Sequence, residues 1–164
     1  SSSPKIDISM EIDAWYVSGF TDGEGSFLVS FSPRGRIAIG IETRPSFTIS
    51  QHQRSANVLS GIQEFFRCGT IRFNSSDETY KYEVRSLEDI ASRIIPHFER
   101  YPLQTSKQSD FEIWKDICRR MMKKEHLDKA GLKNIIHVAY DMNNNGARRY
   151  KIEDLLTMCG KIKV

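Results

Sequence analysis

Large apolar side chains occupy alternate positions in 26–32, at Phe27, Val29 and Phe31, with Ser30 and Ser32 between or after them and Leu28 alone breaking the rhythm. A period of two marks a strand with one buried face. Pro33-Arg34-Gly35-Arg36 supplies a turn, and 37–50 reads as a second strand with Phe47 and Ile49 inward and Glu42, Arg44, Ser46, Thr48 and Ser50 outward. Pro45 has no N–H to give a ladder, so a bulge or bend is expected there. The period then lengthens: Val58, Leu59, Ile62, Phe65 and Phe66 have the spacing of a helix laid on a core, over 55–66. Gly69 opens a second hairpin with strands over 70–74 and 79–85 and a polar turn at 75–78, where Tyr82 and Val84 alternate with Lys81, Glu83 and Arg85. A short amphipathic helix over 87–95 is expected to end at Pro96. A longer one over 107–123 buries Phe111, Trp114, Ile117, Cys118 and Met121. Helices over 132–142 and 152–158 follow, separated by Asn143-Asn144-Asn145-Gly146.

The segment ahead of the first strand, from about Asp13 to Gly25, mixes Trp15, Tyr16, Val17 and Phe20 with glycines at 19 and 23. If it is helical, those glycines stack on one face. Glycine costs about 1 kcal/mol in a helix interior, so two on one face predict a close contact that offsets the loss. Asp22 and Glu24 then stand against the dipole at the helix C-terminus, beside Gly25 as the stop. A carboxylate held against that preference points to a cation site, and the plain alternative is a solvated acidic turn. The element order predicts one α+β domain over 1–164, with an antiparallel sheet covered on one side and a flexible N-terminal segment over 1–12.

Composition adds less than distribution. The formal net charge is only +3, but 26–75 carries Arg34, Arg36, Arg44, Arg54, Arg67 and Arg72 against Glu42 and Glu64. Basic clusters recur at Arg119-Arg120, Lys123-Lys124 and Arg148-Arg149-Lys151; such runs are commonly solvated faces. The outward sheet positions Ser30, Ser32, Arg34, Glu42, Arg44, Ser46, Thr48, Ser50, Arg72, Asn74, Lys81, Glu83 and Arg85 supply both donors and acceptors. That is the vocabulary of base-edge and phosphate contacts; the bland reading is a solvated antiparallel face. Cys68, Cys118 and Cys159 are odd in number with no C-x-x-C, which points to free thiols in a reducing compartment. No signal-peptide core follows the Ser-Ser-Ser-Pro start, no run spans a membrane, and a chain opening on Ser1 is expected to have been processed or altered. The four histidines lack zinc spacing, and no Walker loop or G-x-S-x-G is present.

Val17-Ser18-Gly19-Phe20-Thr21-Asp22-Gly23-Glu24-Gly25, followed by Ser26 and an alternating strand, resembles the signature of the LAGLIDADG homing endonucleases, DNA-cutting proteins commonly encoded within introns. Ser18, Thr21 and Glu24 depart from the usual residues, and Glu keeps the carboxylate. The element order resembles the family's αββαββα core with its saddle-shaped antiparallel sheet, plus extra C-terminal helices. Phe47-Thr48-Ile49-Ser50-Gln51 and Tyr101-Pro102-Leu103-Gln104-Thr105-Ser106-Lys107 look like the segments carrying the family's Gln and Lys. Trp114 and Lys124-Glu125-His126-Leu127, with Gly131-Leu132 beyond, resemble the helical tail of one branch.

The resemblance implies a site-specific double-strand endonuclease using Mg²⁺, with Mn²⁺ or Ca²⁺ able to take the same site. It implies Glu24 as metal ligand with the Gly23 carbonyl, Lys107 near the scissile phosphate, and Gln51 orienting a water. Asp22 is expected in a packing or hydrogen-bonding role near the helix end. A single signature copy implies a homodimer joined through Ser18, Gly19 and Gly23, cutting both strands across the minor groove of a long, near-palindromic DNA target. Arg36 joins the outward sheet residues as a DNA contact, and Arg44, Arg72, Lys81 and Arg85 are the leading readers. The alternatives are a non-cleaving nucleic-acid binder of the same fold, whether an RNA maturase on intron RNA or a transcription factor, and one half of a two-motif protein. The expected location is intracellular: a bacterial or archaeal cytoplasm, a mitochondrion or a chloroplast.

Overall fold

The Asp13 carboxylate accepts the Trp15 N–H at 2.6 Å and so caps the first helix, α1 (Ala14–Glu24). From there a computed structural model describes residues 12–142 and 148–160; the segment expected to be flexible, Ile12 apart, and the break at 143–146 lie outside the described residues. α1 runs into β1 (Gly25–Pro33) with no connecting loop. Gly25 makes that junction possible through space rather than a left-handed cap: its φ is −85°, and a Cβ there would sit 2.6 Å from Thr21 Cγ2.

β2 (Ile41–His52), α2 (Asn57–Phe66), β3 (Thr70–Asn74) and β4 (Thr79–Val84) follow, and the four strands form one antiparallel sheet in the order β1-β2-β4-β3. Leu28 keeps the alternation after all: it points to the outer face, between the buried Phe27 and Val29. Residues 37–40 do not extend the second strand as expected. Arg34 N–H donates to Gly40 O at 2.8 Å and Gly40 adopts φ +78°, closing a turn that only glycine enters cheaply. The bulge expected at Pro45 is also absent, since Pro45 opposes Val29 in an unbroken ladder. Pairing of β2 with β4 starts two residues later, at Phe47, so Pro45 interrupts no bond on that side.

Pro96 does not end the third helix. The chain passes from α3 (Leu87–Asp89) through a π-wound turn (Ile90–Ile94) into α4 (Ile95–Arg100), and Pro96 falls in the first turn of α4, where a missing N–H matters least. α5 (Lys107–Met122), α6 (Lys129–Asp141) and α7 (Ile152–Gly160) complete the described elements. α6 starts earlier than its apolar spacing predicts because Asp128 caps it, accepting the Gly131 N–H at 3.0 Å.

The helices bury the inner sheet face. Phe27 lies 5.3 Å from Phe47 and 5.1 Å from Trp114 between ring centroids, within one apolar cluster reaching from Val17 to Cys159. Trp114 also donates its indole N–H to Leu28 O at 3.0 Å, tying α5 to the edge strand. Among the described residues no helix is long and apolar enough to cross a membrane.

Candidate functional site

Three expected residues gather where α1 becomes β1. Glu24 is the last residue of the helix, exposed, and its carboxylate makes no hydrogen bond or ion pair with another described residue. Gln51 lies on β2 two places beyond Ile49, the residue opposite Gly25, and its amide donates to Ser50 O at 2.8 Å. Lys107 opens α5, and its ammonium donates to Thr21 O at 3.0 Å and to Asp22 O at 3.1 Å. Those carbonyls belong to the last turn of α1, the end of the helix that carries partial negative charge, and Thr21 O also accepts the Gly25 N–H. Burial pushes the Lys107 ammonium below its ordinary value, opposed by Asp22, Asp110 and Glu24. One cation thus offsets the acidic end of α1 and leaves the Glu24 carboxylate facing outward. The Gly23 carbonyl is not among those that Lys107 takes.

Asp22 has the packing role expected of it. Its carboxylate accepts from Gln104 N–H at 2.8 Å, Thr105 N–H at 3.1 Å and the Thr105 hydroxyl at 2.7 Å, fixing the loop that delivers Lys107. Burial raises its pKa, but the bonds from Thr105 and Gln104 outweigh that and hold the carboxyl below its ordinary value.

Ser18 departs from expectation. It is 2% exposed and turned into its own chain, where its hydroxyl donates to Tyr101 O at 2.6 Å and meets His97 Nε2 at 3.1 Å. With its one proton given to Tyr101, Ser18 accepts from His97, which fixes the imidazole as the Nε2–H tautomer; burial lowers the His97 pKa to about 4, consistent with a neutral ring. Ser18 therefore ties α1 to α4 and contributes no interface surface. Gly19 and Gly23 lie on the opposite, exposed side, and a Cβ at either would meet nothing of this chain within 4 Å. Trp15 and Tyr16, 52% and 50% exposed, extend that side. Nothing within the described chain accounts for two glycines there.

The outward sheet face is assembled as expected, with two refinements. Register places Ser50, Lys81 and Arg72 in one row across three strands, and His52, Thr79 and Asn74 in the next. Arg72 and Lys81 form no ion pair with another described residue. The acids on this face instead orient arginines: Glu42 takes Arg34 at 2.6 Å and Arg44 at 2.9 Å, and Glu83 takes Arg85 at 2.9 Å. Bonds from Arg44 and Arg34 hold the Glu42 carboxyl below its ordinary value against desolvation. Ser46 and Thr48, expected as contacts, are only 9% and 5% exposed. Both are short side chains on an inner strand, flanked by Leu28 and Glu83 respectively, and they form the floor of the face rather than its reading edge.

Residues 17–118 match the family model for the LAGLIDADG endonuclease. The chain belongs to this family. Among solved structures, the homing endonuclease I-TnaI is 34% identical with a TM-score of 0.82, covering 94% of this chain and 100% of that one. The LAGLIDADG endonuclease I-SmaMI, solved bound to cleaved DNA, is 30% identical with a TM-score of 0.79, over 82% of this chain and 45% of its own. "Probable intron-encoded endonuclease 3" of Neurospora crassa is 30% identical over 82% of this chain and 25% of the relative. The chain spans about a quarter of the length of the first curated relatives it matches, between 25% and 28%.

The LAGLIDADG match contains Glu24, Gln51 and Lys107 and ends before the last basic cluster. That cluster is what sequence reading left aside. Arg148 and Arg149 are carried back against β1, where Arg148 donates to Val29 O at 2.8 Å. Only the charge run itself signalled them.

In this LAGLIDADG chain, Asp22→Ala is expected to cost about 1–2 kcal/mol, read as a lower urea midpoint with the slope unchanged. Because the folded carboxyl titrates below its ordinary value of 3.8, its contribution is complete above that pH and is lost as pH falls through the folded pKa. The difference between wild type and Asp22→Ala should therefore shrink in acid, and a difference that grows there would remove Asp22 as a charged staple.

Proposed function

We propose that this chain is a site-specific, divalent-metal-dependent DNA endonuclease that works as a homodimer. The observation carrying this reading is Glu24: an outward carboxylate without a hydrogen bond or ion pair to another described residue, beside a glycine-faced helix side and at the root of a basic sheet face. The DNA named in the I-SmaMI structure supports the choice of substrate.

A hard cation such as Mg²⁺ takes oxygen ligands and keeps several waters, binding through one or two carboxylates. Glu24 and the Gly23 carbonyl fit that donor set. Among the described residues no three acidic, His or Cys side chains are grouped so as to hold a metal ion, so further ligands would come from water, DNA phosphate and a second copy's Glu24. Mn²⁺ and Ca²⁺ suit the same oxygens. When bound, the ion supplies Lewis-acid stabilisation of a phosphoryl oxygen and a more acidic water.

The protein's own groups do the rest. Lys107, held by two helix carbonyls, places positive charge beside the reacting phosphate; Gln51 has its carboxamide oxygen left to orient a water. The exposed Gly19/Gly23 side of α1 packs on a symmetry mate, giving an isologous contact that brings two Glu24 residues to the two strands. Each outward sheet face then lies in the major groove of one half-site, so the target is near-palindromic. The full coverage of I-TnaI supports a chain that acts as a single-motif subunit. The 45% coverage of I-SmaMI favours a second reading, in which α1 packs on another unit of a longer chain.

The test is incubation of the purified chain with a randomised duplex library, with Mg²⁺ or with chelator, and sequencing of the ends produced. Metal-dependent double-strand ends at a near-palindromic sequence are expected. Binding enrichment without ends would favour a non-cleaving binder, and an asymmetric site with a monomer on sizing would favour the two-unit reading. On the selected site, Arg72→Ala is expected to relax preference at one or two symmetric positions, by about 1–3 kcal/mol per base pair. Equal weakening on all sequences would make Arg72 a phosphate contact instead.

A further inference from the structure

A cleft of about 380 Å³ opens along the edge of the sheet between β1 and the segment 148–150. Its sheet wall holds Ser30, Ser32 and Arg44, all on the outward face. Arg148, Arg149 and Tyr150 form the other wall, and no acidic side chain is among the described residues that line it. The two arginines differ in what they do. Arg148 spends its guanidinium on the protein: it donates to Val29 O at 2.8 Å and to Ala139 O, and its Cζ stands 4.6 Å from the Tyr140 ring centroid. The Tyr140 hydroxyl in turn donates to Tyr150 O at 2.5 Å, so the segment is fastened at both ends of this triplet. Arg149, between the fastened residues, is exposed and forms no ion pair or hydrogen bond with another described residue.

The structure assigns Arg149 as a phosphate contact on the flank of the DNA that lies against β1 and β2, with Arg148 as the residue that positions it; this rests on the proposed DNA-binding function. The chemistry fits a phosphodiester. Ser30 and Ser32 offer hydroxyl donors, Arg149 offers a fork of N–H donors, and Glu42 already shares its single charge between Arg34 and Arg44, leaving that side of the cleft net positive. A backbone contact of this kind adds affinity and salt dependence without sequence preference. It also places a basic wall outside the LAGLIDADG match, which ends at residue 118.

The test measures binding of the whole chain to a labelled duplex of random sequence, without divalent metal, across a series of salt concentrations. For Arg149→Gln the slope of log affinity against log salt is expected to shrink by about 0.9 per copy of the chain, with the base preferences of the selected site unchanged. Arg148→Ala should reproduce that loss, and the double variant should lose no more than Arg149→Gln alone. An unchanged slope for Arg149→Gln overturns the assignment, as does a changed base preference. Additive losses in the double variant overturn the positioning role of Arg148. Failure of the unsubstituted chain to bind any duplex overturns the DNA reading itself, a result distinct from binding that ignores Arg149.

Discussion

Glu24→Gln is expected to lower the cutting rate by about 10³-fold or more while leaving specific DNA binding and subunit association intact. Glutamine matches glutamate in shape, and the native carboxylate makes no hydrogen bond to another described residue, so the substitution removes charge without removing a fold contact. Lys107 keeps its bonds to Thr21 O and Asp22 O, and Asp22 keeps the loop. On the proposed reading the change falls on the affinity of the helix end for a divalent cation, which neutral amide oxygen holds far less well. Single-turnover cutting of the selected site with Mg²⁺, beside a gel-shift titration in chelator, separates the two effects. Full residual nicking would remove Glu24 as metal ligand, and a parallel loss of binding would give it a different role.

Gly19→Ile is expected to separate the subunits without harming the fold. A Cβ at Gly19 meets nothing of its own chain within 4 Å, and replacing glycine in a helix interior recovers about 0.3–0.6 kcal/mol of propensity. The isolated chain should therefore be as stable as before or slightly more so. Two isoleucines on a two-fold axis are another matter, because overpacking a close helix contact costs about 1–3 kcal/mol per site. Together they amount to a weakening of association of roughly 30-fold to 10⁴-fold. Sedimentation at fixed concentration reads this as a shift from dimer to monomer, with cutting lost alongside. An unaltered dimer would place the contact elsewhere. A monomer in the unsubstituted chain would favour the reading in which a second unit of a longer protein covers this helix.

Much of this arrangement was legible because it is periodic. Alternation fixed which side of β1 and β4 faces outward, and so which arginines and lysines share a face. Even Leu28, which looked like a break, obeys it. Local chemistry also marked the unusual helix end, where two acids oppose the dipole. What periodicity could not carry were contacts between distant segments. That Lys107 caps Thr21 and Asp22, 86 and 85 residues away, depends on how α5 docks. Ser18 stands next to Gly19 in the chain, yet the 100° step of a helix sends one into the core and the other to the surface, and only the position of His97 shows which. Pro96 and Pro45 read as breaks because proline lacks a donor, but each occupies a place where no donor is required. Arg148 and Arg149 looked alike in sequence, and the edge of β1 divides them into a clamp and an exposed cation.

In the proposed homodimer one Glu24 per subunit serves one DNA strand across a shared glycine-faced contact. The most direct measurement joins two copies in a single polypeptide, one carrying Glu24→Gln, and follows a supercoiled plasmid bearing the selected site with Mg²⁺. The nicked circle is expected to accumulate, with the nick confined to one strand and little linear product. Linear product at the rate of the unsubstituted pair, or no cutting at all, would contradict this arrangement.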